Sequence, residues 1–236
     1  MVRGLTLSYY GHSAFLWETP GLRLLIDPYR NPRHRTWFLR EFPRLHCHLA
    51  LVTHAHFDHD ATDRLPTTAS ILRLPGEFRH GEAVIRGVED VHAGPWGGQG
   101  MRNVMFGVEI AGVRFLHIGD NRMGIPAEAL ARIGPVDVLM VTVDDSCHLL
   151  TYREVDTLVA RIRPRVVIPV HYLIPGLTAQ ESTLRPADGW LATQRTVRRM
   201  GAEIACPPEV LPAATEIWVL RSCVGNVPEA KHLEAG

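Results

Sequence analysis

Two stacked β-sheets with helices on their outer faces is the architecture this sequence predicts, and three observations carry it. The first half of the chain reads as short strands separated by glycine-containing turns. From about residue 126 the texture changes to alternating helix and strand, an order that packs helices onto a sheet. Several of the apolar segments end on histidine or aspartate.

Residues 5–10, 14–18 and 22–26 are the first three strands, the second turn being Pro20-Gly21. Residues 49–53, Leu-Ala-Leu-Val-Thr, are apolar on both faces and read as a buried strand. A short helix over 61–65 is stopped by Pro66. Strands follow at 70–74, 83–91 and 104–109, and the Ala111-Gly112 turn leads to an antiparallel partner over 113–117. A helix over 126–133 has proline near its first turn, and 136–143 is a strand of the buried type. Residues 152–162 form an amphipathic helix, capped by Thr151 with Glu154 three residues on. A strand over 165–170 ends at Pro169-Val170-His171, residues 187–200 look helical, and 217–220 is the last strand. No linker or low-complexity tract divides the chain, so residues 1–236 are expected to form a single domain.

At 236 residues and 46% hydrophobic content the chain can bury a full core. It contains no apolar run of membrane-spanning length, and Met1-Val2-Arg3-Gly4-Leu5 lacks the long apolar segment of a signal peptide, which points to the cytoplasm. Cys47, Cys147, Cys206 and Cys223 lie far apart and read as free thiols. Basic and acidic residues balance at 25 each, so no global field favours nucleic acid. Arg30, Arg33, Arg35, Arg40 and Arg44, with His34, nevertheless crowd the segment after Asp27-Pro28. They face either an anionic small-molecule substrate or solvent and subunit contacts. Edge strands and the aromatic pair Trp37-Phe38 leave room for a homo-oligomer.

The run His54-Ala55-His56-Phe57-Asp58-His59-Asp60 directly follows the buried-type strand. Alternate residues of an extended segment point the same way, so His54 and His56 are delivered side by side, with Asp58 and His59 in the following turn. Asp60 begins the next helix and is set aside as a ligand. Buried imidazoles and carboxylates must be paired or coordinated, so this crowding points to metal. Three further residues sit at the carboxyl ends of apolar segments: His92, Asp120 and His171.

Taken together these residues resemble the metallo-β-lactamase superfamily. Gly11-His12-Ser13-Ala14-Phe15, Ile26-Asp27-Pro28, Gly119-Asp120 and Pro169-Val170-His171-Tyr172 narrow the likeness to the branch of ascorbate-6-phosphate lactonase-like proteins, often called metal-dependent hydrolases. One departure stands out: that branch's glycine-rich segment reads Thr142-Val143-Asp144-Asp145-Ser146-Cys147-His148 here. The resemblance implies a four-layer αββα sandwich of the metallo-β-lactamase fold, with helices outside two sheets. It implies that His54, His56 and His92 hold one ion, that Asp58, His59 and His171 hold another, and that Asp120 bridges them. It also implies that Asp27 accepts a hydrogen bond from a ligand histidine.

Imidazole and carboxylate donors suit two divalent ions, zinc first and manganese, iron or nickel as alternatives. The expected chemistry is hydrolysis of an ester, lactone, amide or phosphoester by a bridging hydroxide, which Asp58 orients. His148, His12 and His117 are the candidates for protonating the leaving group, His148 first. The glycine-rich stretch 93–100 is expected to move, with Trp96 lining or covering the pocket. Three other readings compete: an iron-dependent sulfur dioxygenase-type oxidoreductase, a nuclease, and a non-catalytic metal-bound binding module. Diiron relatives commonly carry glutamate where His56 stands, which weighs against that oxidative branch.

Overall fold

Alternation of apolar and polar residues sends successive side chains to opposite faces of each strand, and this pattern assembles two sheets around a shared core. The computed structural model describes residues 4–146 and 148–224, so Met1, Val2, Arg3 and the expected free thiol Cys147 lie outside the described residues. In chain order the strands are β1 (Thr6–Gly11), β2 (Ala14–Thr19), β3 (Leu22–Ile26), β4 (Leu49–Leu51), β5 (Ser70–Leu72), β6 (Gly76–His80) and β7 (Ala83–Val91). They continue with β8 (Arg102–Ile110), β9 (Val113–His117), β10 (Val138–Thr142), β11 (Val166–Val170), β12 (Val197–Met200), β13 (Glu203–Ala205) and β14 (Glu216–Leu220). The α-helices are α1 (Gly94–Gly98), α2 (Ala127–Ile133), α3 (Tyr152–Ile162) and α4 (Asp188–Leu191).

One sheet is ordered β13-β1-β2-β3-β4-β5 and the other β12-β14-β11-β10-β9-β8-β7-β6. Leu7, Tyr9, Phe15, Trp17 and Ile26 of the first pack against Phe106, Phe115, Met140, Ile168 and Trp218 of the second, forming the central core. On the far face of the larger sheet, Leu116, Leu139, Val141 and Val167 meet Ala129 and Ile133 of α2, Val155 and Leu158 of α3, and Trp190 of α4. Strands β10 and β11 are therefore buried on both faces, as their unbroken apolar sequences require. The far face of the smaller sheet is covered mainly by irregular chain, with Tyr29, Trp37, Phe38, Phe42, Leu177 and Leu184 over Leu16, Leu25 and Ala50. Trp37 and Phe38 are thus core residues, which removes the aromatic surface pair from the argument for an oligomer. No helix among the described residues is long and apolar enough to cross a membrane.

Local signals explain the best-read elements. Ala111 and Gly112 both take positive φ, the geometry of a tight hairpin between β8 and β9. Thr151 Oγ1 accepts from the Glu154 N–H at 3.3 Å while Glu154 Oε2 accepts from the Thr151 N–H at 2.8 Å, closing a capping box on α3. The stretch 61–65 makes only a 3₁₀ turn over Thr62–Arg64.

The helix expected over 187–200 is a correction. Only the short helix α4 forms, and Val197–Met200 instead pairs in parallel with β14. Trp190, Leu191 and Val197 have spacing compatible with a helix face, but the open edge of β14 offers the backbone a ladder, and pairing there prevails over local periodicity. Strands β6 and β13 were not expected, and both lie at the margins of the sheets, where short segments carry little sequence signal.

Candidate metal centre

The segments following β1, β3, β4, β7, β9, β10 and β11 meet at one rim of the sandwich, bringing His12, Asp27, the 54–59 run, His92, Asp120, Asp144 and His171 together. Beside a smaller group of Asp144, His148 and His171, two groups of four side chains there offer ligand atoms within 4.8 Å of one another: His12, Asp58, His59 and His171, and His54, His56, His92 and Asp120. Asp120 reaches both. Its oxygens lie 3.5 Å from His59 Nε2 and 3.4 Å from His171 Nε2 on one side, and 3.5 Å from His92 Nε2 and 3.7 Å from His54 Nε2 on the other. His54 and His56 emerge as neighbours with rings 4.7 Å apart.

The second nitrogen of several imidazoles is fixed from behind, which sets the tautomer and aims the free nitrogen inward. His59 Nδ1 meets Asp27 Oδ2 at 2.8 Å, the partnership the resemblance implied for Asp27. His92 Nδ1 donates to the Ala93 carbonyl at 2.7 Å. Thr53 Oγ1 donates to Asp27 Oδ2 at 2.8 Å, so its oxygen is left to accept from His54 Nδ1 at 3.0 Å. Asp27 also accepts from the Thr53 N–H at 2.8 Å, so one carboxylate organises both sides of the cluster. His171 Nδ1 lies 3.5 Å from Asp144 Oδ2.

Several inward atoms have nothing to bind within the protein, although His54 Nε2 lies 3.0 Å from His56 Nδ1. His59 Nε2, His92 Nε2, His171 Nε2 and Asp120 Oδ1 are buried without a hydrogen-bond partner. Orphaned buried polar atoms cost about 1–3 kcal/mol each. A donor set of imidazole nitrogens and carboxylate oxygens, clustered in two groups and otherwise unsatisfied, fits two divalent ions.

Electrostatics in the metal-free protein follow from this crowding. Burial pushes the Asp58 carboxyl up, but His59, the hydrogen bond from His12 and the nearby His171 outweigh it and hold it well below the usual range. Asp120 is likewise raised by burial and pulled well below its ordinary value by His171, His59 and His92. Burial lowers His59, yet Asp120, Asp27 and Asp58 together raise it to about 9, and Asp120, Asp144 and Asp58 raise His171 in the same way. Without metal, protons on these rings supply part of the positive charge the carboxylates demand. His54 is driven down by burial and by His59, and His12 falls to about 4 through burial and His171.

Backbone strain concentrates at the same place. His12, Asp27 and His171 have φ of 54°, 46° and 60°, a region non-glycine residues rarely enter.

The remaining sequence candidates separate clearly. His12 is fully buried, with Nε2 3.1 Å from Asp58 Oδ2, so it steadies that carboxylate. His117 donates from Nε2 to the Ser13 carbonyl at 2.9 Å and accepts at Nδ1 from the Gly119 N–H at 3.0 Å, which leaves it no proton-transfer role. His148 is half-buried, touches Ser146 Oγ through Nδ1, and has Nε2 3.7 Å from Asp144 Oδ2. Asp60 accepts from Arg73 and Thr62 and stays outside both groups. Over the ligands opens a cavity of about 760 Å³, lined by His56, Asp58, His92, Asp120, His148 and His171 and walled by Arg35, Trp37, Phe57, Trp96, Met101 and Thr183.

The 93–100 stretch packs closely on its neighbours at two of its glycines. It holds the short helix α1, and a Cβ at Gly94 would collide with the His148 carbonyl while one at Gly97 would collide with that of His92. These glycines permit close backbone packing beside Trp96, which lines the cavity. Sequence reasoning missed Asp144 as a neighbour of His171 and missed Phe57 and Met101 as cavity walls. The departure at 142–148 signalled the first; no local pattern announces the others.

Comparison with known proteins places these observations in a family. The family described as "Beta-lactamase superfamily domain" matches residues 6–171. A UPF0173 metal-dependent hydrolase of Pyrobaculum neutrophilum is 28% identical over 231 residues, covering 88% of this chain and 99% of the relative. Another from Opitutus terrae is 29% identical over 198 residues, covering 71% and 85% respectively. Among solved structures, a metallo-β-lactamase superfamily protein of Thermotoga maritima superposes with a TM-score of 0.71 at 21% identity, covering 92% of this chain and 98% of its own. That likeness bears on the fold.

Proposed function

The chain belongs to the beta-lactamase superfamily, and from that premise we propose that it is a metal-dependent hydrolase using two ions to cleave an ester, lactone, amide or phosphoester. The observation that carries this reading is the convergence of unpartnered buried nitrogens and oxygens from two groups that meet at Asp120. In this reading His54, His56 and His92 hold one ion, Asp58, His59 and His171 hold the other, and Asp120 serves both. The donor chemistry favours zinc. When bound, the ions supply an acidified water and positive charge for the developing oxyanion.

The protein's own groups do the rest. Asp58, steadied by His12 Nε2 at 3.1 Å, orients the attacking water and takes up its proton. His148 stands at the cavity wall, touching Ser146 Oγ through Nδ1, and in its protonated form gives the Nε2 proton to the leaving group, burial lowering its pKa so that the proton leaves readily. Trp37, Phe57 and Trp96 exclude bulk water from the space above the carboxylates. The described free thiols Cys47, Cys206 and Cys223 favour a reducing compartment, which we take to be the cytoplasm.

The test is metal analysis of the purified chain paired with hydrolysis screens on lactones, phosphodiesters and β-lactams. Two equivalents of metal are expected, and Asp58→Ala should keep its fold while losing roughly 10²–10⁴-fold in hydrolysis. A well-folded wild type that takes up less than one equivalent after supplementation overturns the dinuclear reading.

A further inference from the structure

The walls of the cavity over the ligand groups are chemically unlike its floor. The floor is imidazole and carboxylate; the walls are Trp37, Phe57, Trp96 and Met101. Trp96 is 49% exposed, an unusual placement for an indole, on the short helix α1 whose glycines pack against the backbone of His148 and His92. Its ring stands edge-on to His56, with centroids 5.2 Å apart, and Trp37 meets Phe57 edge-on at 5.4 Å. These aromatic side chains thus line the cavity beside the candidate metal ligands. Such rings bind flat apolar groups without ordering flexible side chains.

Charge is placed as selectively. Among the arginines at 30, 33, 35, 40 and 44, only Arg35 lines this cavity. Arg30 is committed to Asp63 at 2.8 Å and to the Asp60 carbonyl. Arg35 has no carboxylate partner among the described residues; its guanidinium lies 4.6 Å over the Trp37 ring. A guanidinium spread on an indole face keeps its N–H edges available to an anion while the ring limits its conformations.

We propose that the cavity selects substrates in which a flat aromatic group adjoins the scissile bond and carries an anionic substituent that Arg35 receives. This deepens the hydrolase reading and rests on it for the reaction, though the recognition itself requires no turnover. A volume of about 760 Å³ admits a bicyclic aromatic with its substituent. Thr183, with φ of 67°, completes the rim on the chain segment that follows β11.

Calorimetry on the metal-loaded full chain separates the two contributions. The probes are 2-naphthalenesulfonate, the neutral 2-naphthyl methyl sulfone of similar shape, and methanesulfonate. Sulfonate is a weak metal ligand, so the comparison reports on the walls. Wild type should bind the naphthalenesulfonate about tenfold more tightly than either other probe. Arg35→Gln should reduce the preference over the neutral sulfone to about twofold or less, while Arg35→Lys keeps part of it. Trp96→Ala should weaken both naphthyl probes about tenfold. A wild type that treats all three probes alike, or an Arg35→Gln variant that keeps the full charge preference, overturns the proposal. The expected binding pattern in a chain that hydrolyses nothing supports the cavity assignment and sinks the hydrolase reading. Efficient hydrolysis of aliphatic neutral esters with no naphthyl preference does the reverse.

Discussion

Asp120 and Asp137 are the same residue type, are buried to 3% and 6% exposure, and flank the adjacent parallel strands β9 and β10, yet they are treated in opposite ways. Asp137 precedes β10 and is saturated. Its carboxylate accepts from the Arg114 N–H at 3.0 Å, from Nε at 2.8 Å and from Nη2 at 2.8 Å. Asp120 follows β9 at the other end of the strands, where Oδ1 has no partner and histidine nitrogens stand at 3.4–3.7 Å. One carboxylate closes a corner of the fold, while the other is left open for something the chain does not supply. Buried polar groups at the carboxyl ends of the strands are therefore better read as site than as scaffold.

The largest expected effect comes from removing the open carboxylate. Asp120→Ala should abolish binding of both ions and lower kcat/KM by ~10³-fold, because it touches both groups. Its metal-free melting temperature should match or exceed that of metal-free wild type. A clear fall would mean that Asp120 serves the fold as Asp137 does. Next comes Asp27, which restrains His59 directly and His54 through Thr53. Asp27→Asn should weaken metal binding about 10–100-fold, read by competition with a chelating dye, and unchanged affinity would remove its organising role. Asp137→Ala should cost about 1–3 kcal/mol in urea unfolding with activity per folded molecule retained. A loss of metal in that variant would erase the contrast.

The smallest effect is one of pH. Hydrogen bonds from Arg114 hold the Asp137 carboxyl below its ordinary value of 3.8, so the pair's stabilisation is present above that value and fades as pH falls through the lowered folded-state value. The urea midpoint difference between wild type and Asp137→Asn should therefore narrow on acidification below the ordinary value. A gap that widens there would show the pair to be incidental.

The floor of the centre was legible because its candidate ligands are either adjacent in sequence, as at His54, His56, Asp58 and His59, or stand at the ends of apolar strands, as at His92, Asp120 and His171. Both are local signals. The walls were legible only in part. Trp96 was marked by its glycine-rich stretch, whereas Trp37 comes from the irregular stretch after β3 and Thr183 from the segment after β11, and no periodicity ties these to the site. Glycine has a role here that composition does not announce. At Gly94 and Gly97 it permits close backbone contact with His148 and His92. The segment 187–200 failed for yet another reason, since its apolar spacing suits a helix and only the edge of β14 decides for a strand over Val197–Met200.

The left-handed backbone at His12, Asp27 and His171 sets local strain against side-chain role at those positions. Glycine relieves each twist at no steric cost, and asparagine tolerates it better than most residues. Relief of the twist is nevertheless opposed by what the side chains do, since His12 fills a fully buried space and Asp27 accepts from Thr53 and His59, so these positions resist replacement even in metal-free protein. Selection under limiting metal would hold the same three positions in place.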